Sequence, residues 1–318
     1  MASRDTPLAV VGAGSIGVAF ALVFARAGFA VRLQDPDRRR LEQAPEEIRS
    51  RLEALLEHGL LQEPAQDVLG RIRCVEDLAE AVPGTALVQE CAPERLELKT
   101  QLFAELDRLA DTGTVLASSS SALTASSFAA DLDGRGRCLV AHPGNPPYLL
   151  PVIELVPAPF TASSSVDRAR SVYQQAGLSP VLVEREVEGF VFNRLQGALL
   201  REAYCLVRDG VASVEAVDQV VREGLGRRWA FMGPFETVDL NTRGGIASHA
   251  EKMGPAYYRM GRERGQDDPW TDDLVGTVTD ERRELLPLEH WEQRVLWRDE
   301  QLMRLAELFR RHDPPHRP

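Results

Sequence analysis

Two side chains in the stretch AHPGNPPYLLPVIELVP, residues 141–157, are of the right types to move a proton. His142 closes the apolar run RCLVA, and Glu154, twelve residues on, interrupts the apolar run VIELV. A carboxylate inside a strand core is costly unless something pairs with it. If GNPPYLLP joins two successive strands, the two groups can lie side by side. Glu154 would then accept the imidazole N–H, fix its tautomer, and stabilise the imidazolium formed when the other ring nitrogen takes a proton. A hydrolase triad orients its histidine in the same way, yet no nucleophile elbow precedes this one. The plainer reading is a satisfied core histidine beside a structural carboxylate.

A second group of residues suggests what chemistry the pair would serve. VGAGSIG places Gly12, Gly14 and Gly17 in the G-x-G-x-x-G spacing. Alone the spacing is weak, because glycines mark any tight turn. Here it follows an apolar strand and opens a helix, which gives it meaning. Gly12 permits the turn, Gly14 lets pyrophosphate approach the backbone, and Gly17 lets the helix pack on the strand. The N–H groups of Ser15 and Ile16 and the helix dipole then face the phosphates. Asp35 ends the second strand, 23 residues after Gly12. A carboxylate there accepts from the adenosine ribose and repels a 2′-phosphate, so the expected cofactor is NAD. Asp35 ahead of Pro36 would serve equally as a helix N-cap. Arg38, Arg39 and Arg40 could hold a phosphate, but Asp35 would still face it. SSSSAL (118–123) follows the strand TVLA, at the end of a strand where doubly wound sheets bind ligands. A serine cluster is also often just a solvated loop. A dinucleotide site beside a histidine–carboxylate pair fits hydride transfer better than acyl transfer.

These groups need a parallel sheet to position them. From Pro7 to about Phe190 short apolar runs alternate with helical segments, as in an α/β doubly wound sheet covered on both faces. Strands are expected at LAVVGAG, FAVRLQD, RIRCVED, TALVQEC, TVLASSS, RCLVAHP, PVIELVP and SPVLVERE. SIGVAFALVFARAG and ERLELKTQLFAELDRL read as helices. PDRRRLEQAPEEIRSRLEALLEHGLL reads as a long polar helical segment that Pro45 should break, kink or delay. After Gly189 no convincing strand remains. FVFNRLQGALLREAYCLVRDG is an amphipathic helix with Gly210 as its C-cap, and SVEAVDQVVREGLG a shorter one capped by Ser213. The pattern predicts a Rossmann-like, mostly parallel sheet domain over residues 1–188 and an all-helical domain over 189–318. The tail HDPPHRP should fray.

The chain has 318 residues, enough for two domains, with 44% hydrophobic and 27% charged content and a net charge of −11. The acidity argues against nucleic acid or an anionic membrane as partner, and no apolar run reaches the roughly 18 residues of a membrane span. The N-terminus lacks signal-peptide features. Cys74, Cys91, Cys138 and Cys205 are widely spaced, without a CxxC pair. They read as small buried hydrophobes in a reduced, cytoplasmic protein without a structural metal.

Together these residues resemble the 3-hydroxyacyl-CoA dehydrogenase superfamily. They share its G-x-G-x-x-G turn, its serine-rich strand end, H-x-x-N at His142–Asn145, and an acid twelve residues beyond the histidine. More specific are VQECAPERLELK, AHPGNPPYLLPVIELVP, EVEGFVFNRLQ, EGLGRRWAFMGPFET and WRDEQLMRLA, spread over nearly the whole chain. They are most similar to the L-gulonate 3-dehydrogenase branch. The resemblance implies that His142 takes the hydroxyl proton with Glu154 as its partner. It implies that Ser121, Asn145 and Asn193 hydrogen-bond the reacting oxygen or orient histidine and substrate. It places Glu94 and Lys99 near the nicotinamide half of NAD, and it makes the helical domain the seat of a homodimer. On residue type alone, Glu94 and Lys99 would be surface charges and Asn193 a polar residue on a solvated face.

Two departures bear on the substrate. The acyl-CoA enzymes carry lysine-rich helical segments after the second strand, whereas residues 52–70 here hold no lysine or arginine. That suits a small acid better than CoA. The family's S-N-T-S-S appears as Ser118–Ala122, so assigning Ser121 rests on an ungapped alignment, which keeps it 21 positions before His142. A small acid needs its carboxylate neutralised. Arg228 is the candidate, since a guanidinium binds a carboxylate through two parallel hydrogen bonds. Arg227 is its rival, and an arginine packed at an interface the alternative. The leading expectation is NAD-dependent oxidation of the 3-hydroxyl of a small hydroxy acid, L-gulonate to 3-dehydro-L-gulonate. The alternatives are a short-chain 3-hydroxyacyl-CoA dehydrogenase and a non-catalytic, crystallin-like NADH-binding protein. Carnitine is a further possible substrate, with Trp229 and Tyr148 as the aromatic groups for its ammonium.

Overall fold

The computed structural model describes residues 6–230, 232–242, 245–264, 273, 284 and 287–312. Eight strands form one sheet: β1 (Leu8–Val11), β2 (Val31–Gln34), β3 (Ile72–Val75), β4 (Leu87–Glu90), β5 (Val115–Ser118), β6 (Cys138–Pro143), β7 (Val152–Pro157) and β8 (Ser179–Leu182). Their order across the sheet is β3-β2-β1-β4-β5-β6-β7-β8. The first six are mutually parallel, β7 runs antiparallel to β6, and β8 is parallel to β7. The chain leaves β1 towards β2 and β3, then returns to place β4 on the other side of β1. That reversal makes a switch point where the β1 and β4 loops part, the usual ligand crevice of such sheets.

The helices are α1 (Ser15–Arg26), α2 (Arg38–Glu57), α3 (Ala65–Leu69), α4 (Leu78–Ala81), α5 (Leu96–Leu109), α6 (Ala125–Ala129), α7 (Ser163–Gln175), α8 (Phe192–Arg208), α9 (Val214–Val220), α10 (Gly226–Trp229), α11 (Pro234–Asn241), α12 (Gly245–Arg264) and α13 (Trp291–His312). Strands β1, β4, β5 and β6 are buried along their whole length; each begins as an apolar run, and β4, β5 and β6 carry buried polar residues towards their ends, Gln89 and Glu90, Ser118, and His142. Alternate residues serve two cores. Leu8 and Val10 face the core that contains α1 and α7, while Ala9, Val11, Cys138 and Val140 face the one that contains Phe103 and Phe128. Every cysteine is a free thiol, with Cys138 and Cys205 buried. Burial pushes the Cys138 thiol up to about 12, so it behaves as a small hydrophobe.

One local expectation fails. Pro45 neither breaks nor delays its helix, because α2 runs unbroken from Arg38 to Glu57. Pro45 is exposed, while Leu41, Ala44, Ile48, Leu52 and Leu55 are buried along the opposite stripe. Packing on both sides of the proline offsets its lost hydrogen bond.

Two compact units divide the chain. The first runs to Arg194 and takes in the chain again from Leu296, and the second is Leu195–Val295. The sequence pattern sets its boundary at 188/189, but the chain stays tied to the first unit a little longer. Glu154 accepts the backbone N–H groups of Val191 and Phe192. At the other end α13 returns: Met303 joins the first unit's core, and His58 Nδ1 lies 2.8 Å from Glu307 Oε1. The second unit has no strand among its described residues. Gly210 follows α8 at φ +66°, and the Ser213 hydroxyl caps α9. Residues 313–318, the expected frayed tail, lie outside the described residues.

Candidate active site

His142 and Glu154 stand directly opposite each other in the β6–β7 register. Opposed residues of an antiparallel pair project to the same face, so a twelve-residue excursion through one turn suffices to join them. His142 Nδ1 lies 2.8 Å from Glu154 Oε2. Both are buried, at 6% and 3% exposure. An ionised carboxylate can only accept, which assigns the proton to Nδ1 and leaves Nε2 with a lone pair. The other carboxylate oxygen, Oε1, accepts from the N–H of Val191 at 2.8 Å and of Phe192 at 2.9 Å, where α8 begins. Burial pushes the Glu154 carboxyl up. The bonds from His142, Phe192 and Val191 outweigh it and hold the pKa below the ordinary value.

The chain reaches this carboxylate through a strained residue. Phe190 is fully buried with φ +50°, a left-handed conformation that costs a non-glycine residue about 1–2 kcal/mol. The bend turns the next two N–H groups onto Glu154. The rings of Phe190 and Phe192 lie 5.6 and 6.1 Å from the imidazole and wall it in.

The glycine turn sits at the switch point. A Cβ on Gly12, at φ +100°, would come within 2.9 Å of the Cys91 backbone carbonyl, and one on Gly17 within 1.7 Å of the Gly12 oxygen. Both glycines are dictated by the chain's own packing. Gly14 differs, because a Cβ there would meet nothing within 4 Å. Its openness suits a phosphate brought against the start of α1, where Ser15 and Ile16 lie. Asp35 is not the cap of α2, a role taken by Asp37. Its carboxylate accepts from Ala13 N at 2.7 Å and Asp37 N at 2.9 Å, tying the end of β2 to the glycine turn. Arg38 pairs with Glu42, while Arg40 reaches the Ala13 carbonyl and Glu47. Two of the three nearby arginines are thus engaged, and the residues fit NAD.

Ser121 and Asn193 meet: Asn193 Nδ2 donates to the Ser121 carbonyl at 3.2 Å. On its other side the Ser121 N–H donates to Glu94 Oε1 at 2.9 Å. Neither bond uses the Ser121 hydroxyl. Asn145 is exposed in the β6–β7 turn. Lys99 is not a surface charge. Its side chain is 1% exposed, and its ammonium lies 2.8 Å from both oxygens of fully buried Glu90 and 3.3 Å from Ser118 Oγ. Such a pair persists only because each charge is compensated on the spot.

The residue patterns miss Glu90 and Ser118 as Lys99's partners, and Phe190 and Phe192 as the walls of the histidine. Glu90 carries a signal like that of Glu154, an acid within a buried strand, here at its end in VQE. The phenylalanines carried none.

In the second unit a π-helical turn, Val221–Leu225, precedes α10. Arg227 pairs with Glu223. Arg228 is exposed and makes no ion pair with a described residue.

A glycine-rich turn at the switch point of a doubly wound, mostly parallel sheet defines the NAD-binding domain of a dehydrogenase. Comparison with known proteins gives the family. Residues 7–187 match the model "3-hydroxyacyl-CoA dehydrogenase, NAD binding domain", and residues 189–277 match "3-hydroxyacyl-CoA dehydrogenase, C-terminal domain". The chain belongs to the 3-hydroxyacyl-CoA dehydrogenase family. It is 43% identical to the lambda-crystallin homolog of Bos taurus, covering 95% of each chain. It is 37% identical to an L-carnitine dehydrogenase of Oceanobacillus iheyensis, covering 87% of each. Among solved structures, a 5-formyl-3-hydroxy-2-methylpyridine 4-carboxylic acid 5-dehydrogenase, titled an NAD+-dependent dismutase, superposes with a TM-score of 0.81. That likeness covers 96% of this chain and 98% of the other at 26% identity.

Proposed function

We propose that this chain oxidises the 3-hydroxyl of a small hydroxy acid with NAD, and that L-gulonate, giving 3-dehydro-L-gulonate, is its substrate. The observation that carries the reading is the buried His142–Glu154 bond at 2.8 Å, which leaves Nε2 as the base. His142 takes the hydroxyl proton through Nε2, and Glu154 steadies the imidazolium that results. NAD, when bound, supplies the hydride acceptor. Ser121 and Asn193 donate to the oxygen as it becomes a carbonyl, and Asn145 helps to orient the substrate. Arg228 takes the substrate carboxylate, because Arg227 is already committed to Glu223.

The choice of a small acid over an acyl-CoA is supported by residues 52–70. They contain Glu53, Glu57, Glu63 and Asp67 but no lysine or arginine to meet a CoA phosphate. The carnitine dehydrogenase relative favours carnitine as a second reading. Against it, the Tyr148 ring has the Arg51 guanidinium 5.7 Å from its centroid, and its hydroxyl lies 3.3 Å from Asp299. That ring already carries a cation and its hydroxyl a partner, which weighs against a quaternary ammonium on the same ring. A homodimer and a reduced, cytoplasmic setting complete the proposal; the free cysteines support the latter.

The test is kcat/KM with NAD over L-gulonate, 3-hydroxybutyrate, L-carnitine and 3-hydroxybutyryl-CoA. Gulonate should lead. His142→Gln should lose about 10²–10⁴-fold in turnover while binding NADH normally, and Arg228→Ala should raise the KM for gulonate about 10- to 100-fold. A preference for the CoA ester or for carnitine would displace gulonate. NADH binding with no turnover on any of the four would favour a non-catalytic role.

A further inference from the structure

Glu94 is spent on a single turn. Its Oε1 accepts from Ser120 Oγ at 2.5 Å and from the backbone N–H groups of Ser121 at 2.9 Å, Ala122 at 2.8 Å and Leu123 at 3.2 Å. Three successive N–H groups and a hydroxyl converging on one oxygen form an anion-binding nest. The nest lies just beyond β5, and Glu94 enters it from the segment linking β4 to α5. Burial pushes the Glu94 carboxyl up. The bonds from Ser120, Ala122, Leu123 and Ser121 more than cancel this and hold it below the ordinary carboxylate value. The same turn holds Ser121, whose carbonyl is gripped from the other side by Asn193. Ser121 is therefore clamped at both ends of its backbone, with its hydroxyl left over.

We infer that Glu94 is a positioning residue: its carboxylate fills the Ser120–Leu123 nest as a built-in anion and fixes Ser121 for the reacting oxygen. It acts on turnover through Ser121 rather than by gripping NAD. The inference rests on the proposed role of Ser121, but the nest itself is testable without any substrate.

Glu94→Ala opens the nest to a small external anion, and formate is the probe. Misplacing a reacting group by about 1 Å costs on the order of 10²-fold in rate. Glu94→Ala should therefore lower kcat by about that factor with NADH affinity and KM for NAD unchanged. Formate should restore kcat saturably, and Glu94→Gln, which keeps an acceptor oxygen without the charge, should fall between the two. Formate should also raise the melting temperature of Glu94→Ala and not that of the wild type. This arm holds even if none of the tested acids is a substrate, so failure of the functional reading and failure of the nest are distinguishable. A parallel loss of NADH affinity with kcat intact would make Glu94 a cofactor contact and overturn the inference. Absence of any formate effect on Glu94→Ala would do the same. If Glu94→Ala does not fold, Glu94→Gln decides: wild-type kcat in that variant rejects the role.

Discussion

Glu154 divides its two oxygens between the catalytic candidate His142 and the start of α8, so one carboxylate couples a side-chain tautomer to a helix position. Its pKa is depressed on folding. The sign follows directly: its stabilising contribution is complete above the unfolded value of about 4.3 and is withdrawn as pH falls through the lower folded value. Wild type should therefore exceed Glu154→Gln in urea midpoint at pH 7, and the gap should narrow on acidification below about pH 4. Equilibrium unfolding at a series of pH values reads this, and a gap that stays constant would unlink Glu154 from acid stability. At this scale the sequence is legible where an acid breaks an apolar run, as at Glu154 and at Glu90. It was not legible for Lys99, whose type says "surface" and whose partners lie 9 and 19 positions away on other elements.

Elements followed their periodicity closely, since strands buried on both faces and amphipathic helices leave strong local patterns. All eight expected strands formed, and Pro45 was the exception. A proline in a helix interior costs about 3 kcal/mol relative to alanine. Part of that is recovered because proline also restricts the unfolded chain, by up to about 1 kcal/mol. Pro45→Ala should thus stabilise the protein by roughly 2 kcal/mol, visible as a higher denaturant midpoint with an unchanged m-value. No gain would mean that α2 had already relaxed around the proline. The override could not be read locally, because the five buried residues that hold α2 exert their effect only once packed.

At the level of the whole molecule, the second unit exposes several large apolar side chains. Val211, Val220, Phe235, Leu240 and Tyr258 are all largely exposed. Only Cys205 of the amphipathic α8 is buried. The proposed homodimer would cover such side chains with a second copy of the chain. Sedimentation equilibrium should give twice the chain mass, with Phe235→Glu shifting it towards the single chain. A single-chain mass for the wild type at micromolar concentration would reject the dimer.

The sequence by itself determined the strand and helix order, the glycine turn with its preference for NAD, and the two residue types able to share a proton. Those follow from local patterns: apolar period, turn chemistry, and the cost of a lone acid in a strand. Only the tertiary structure decided who partners whom. The β6–β7 register set His142 against Glu154. The crossover from β4 to α5 carried Glu94 to a serine turn 27 residues further on, and buried Lys99 on Glu90. Such pairings depend on how distant elements stack, and an ionised group settles on the compensating partners that stacking brings within reach.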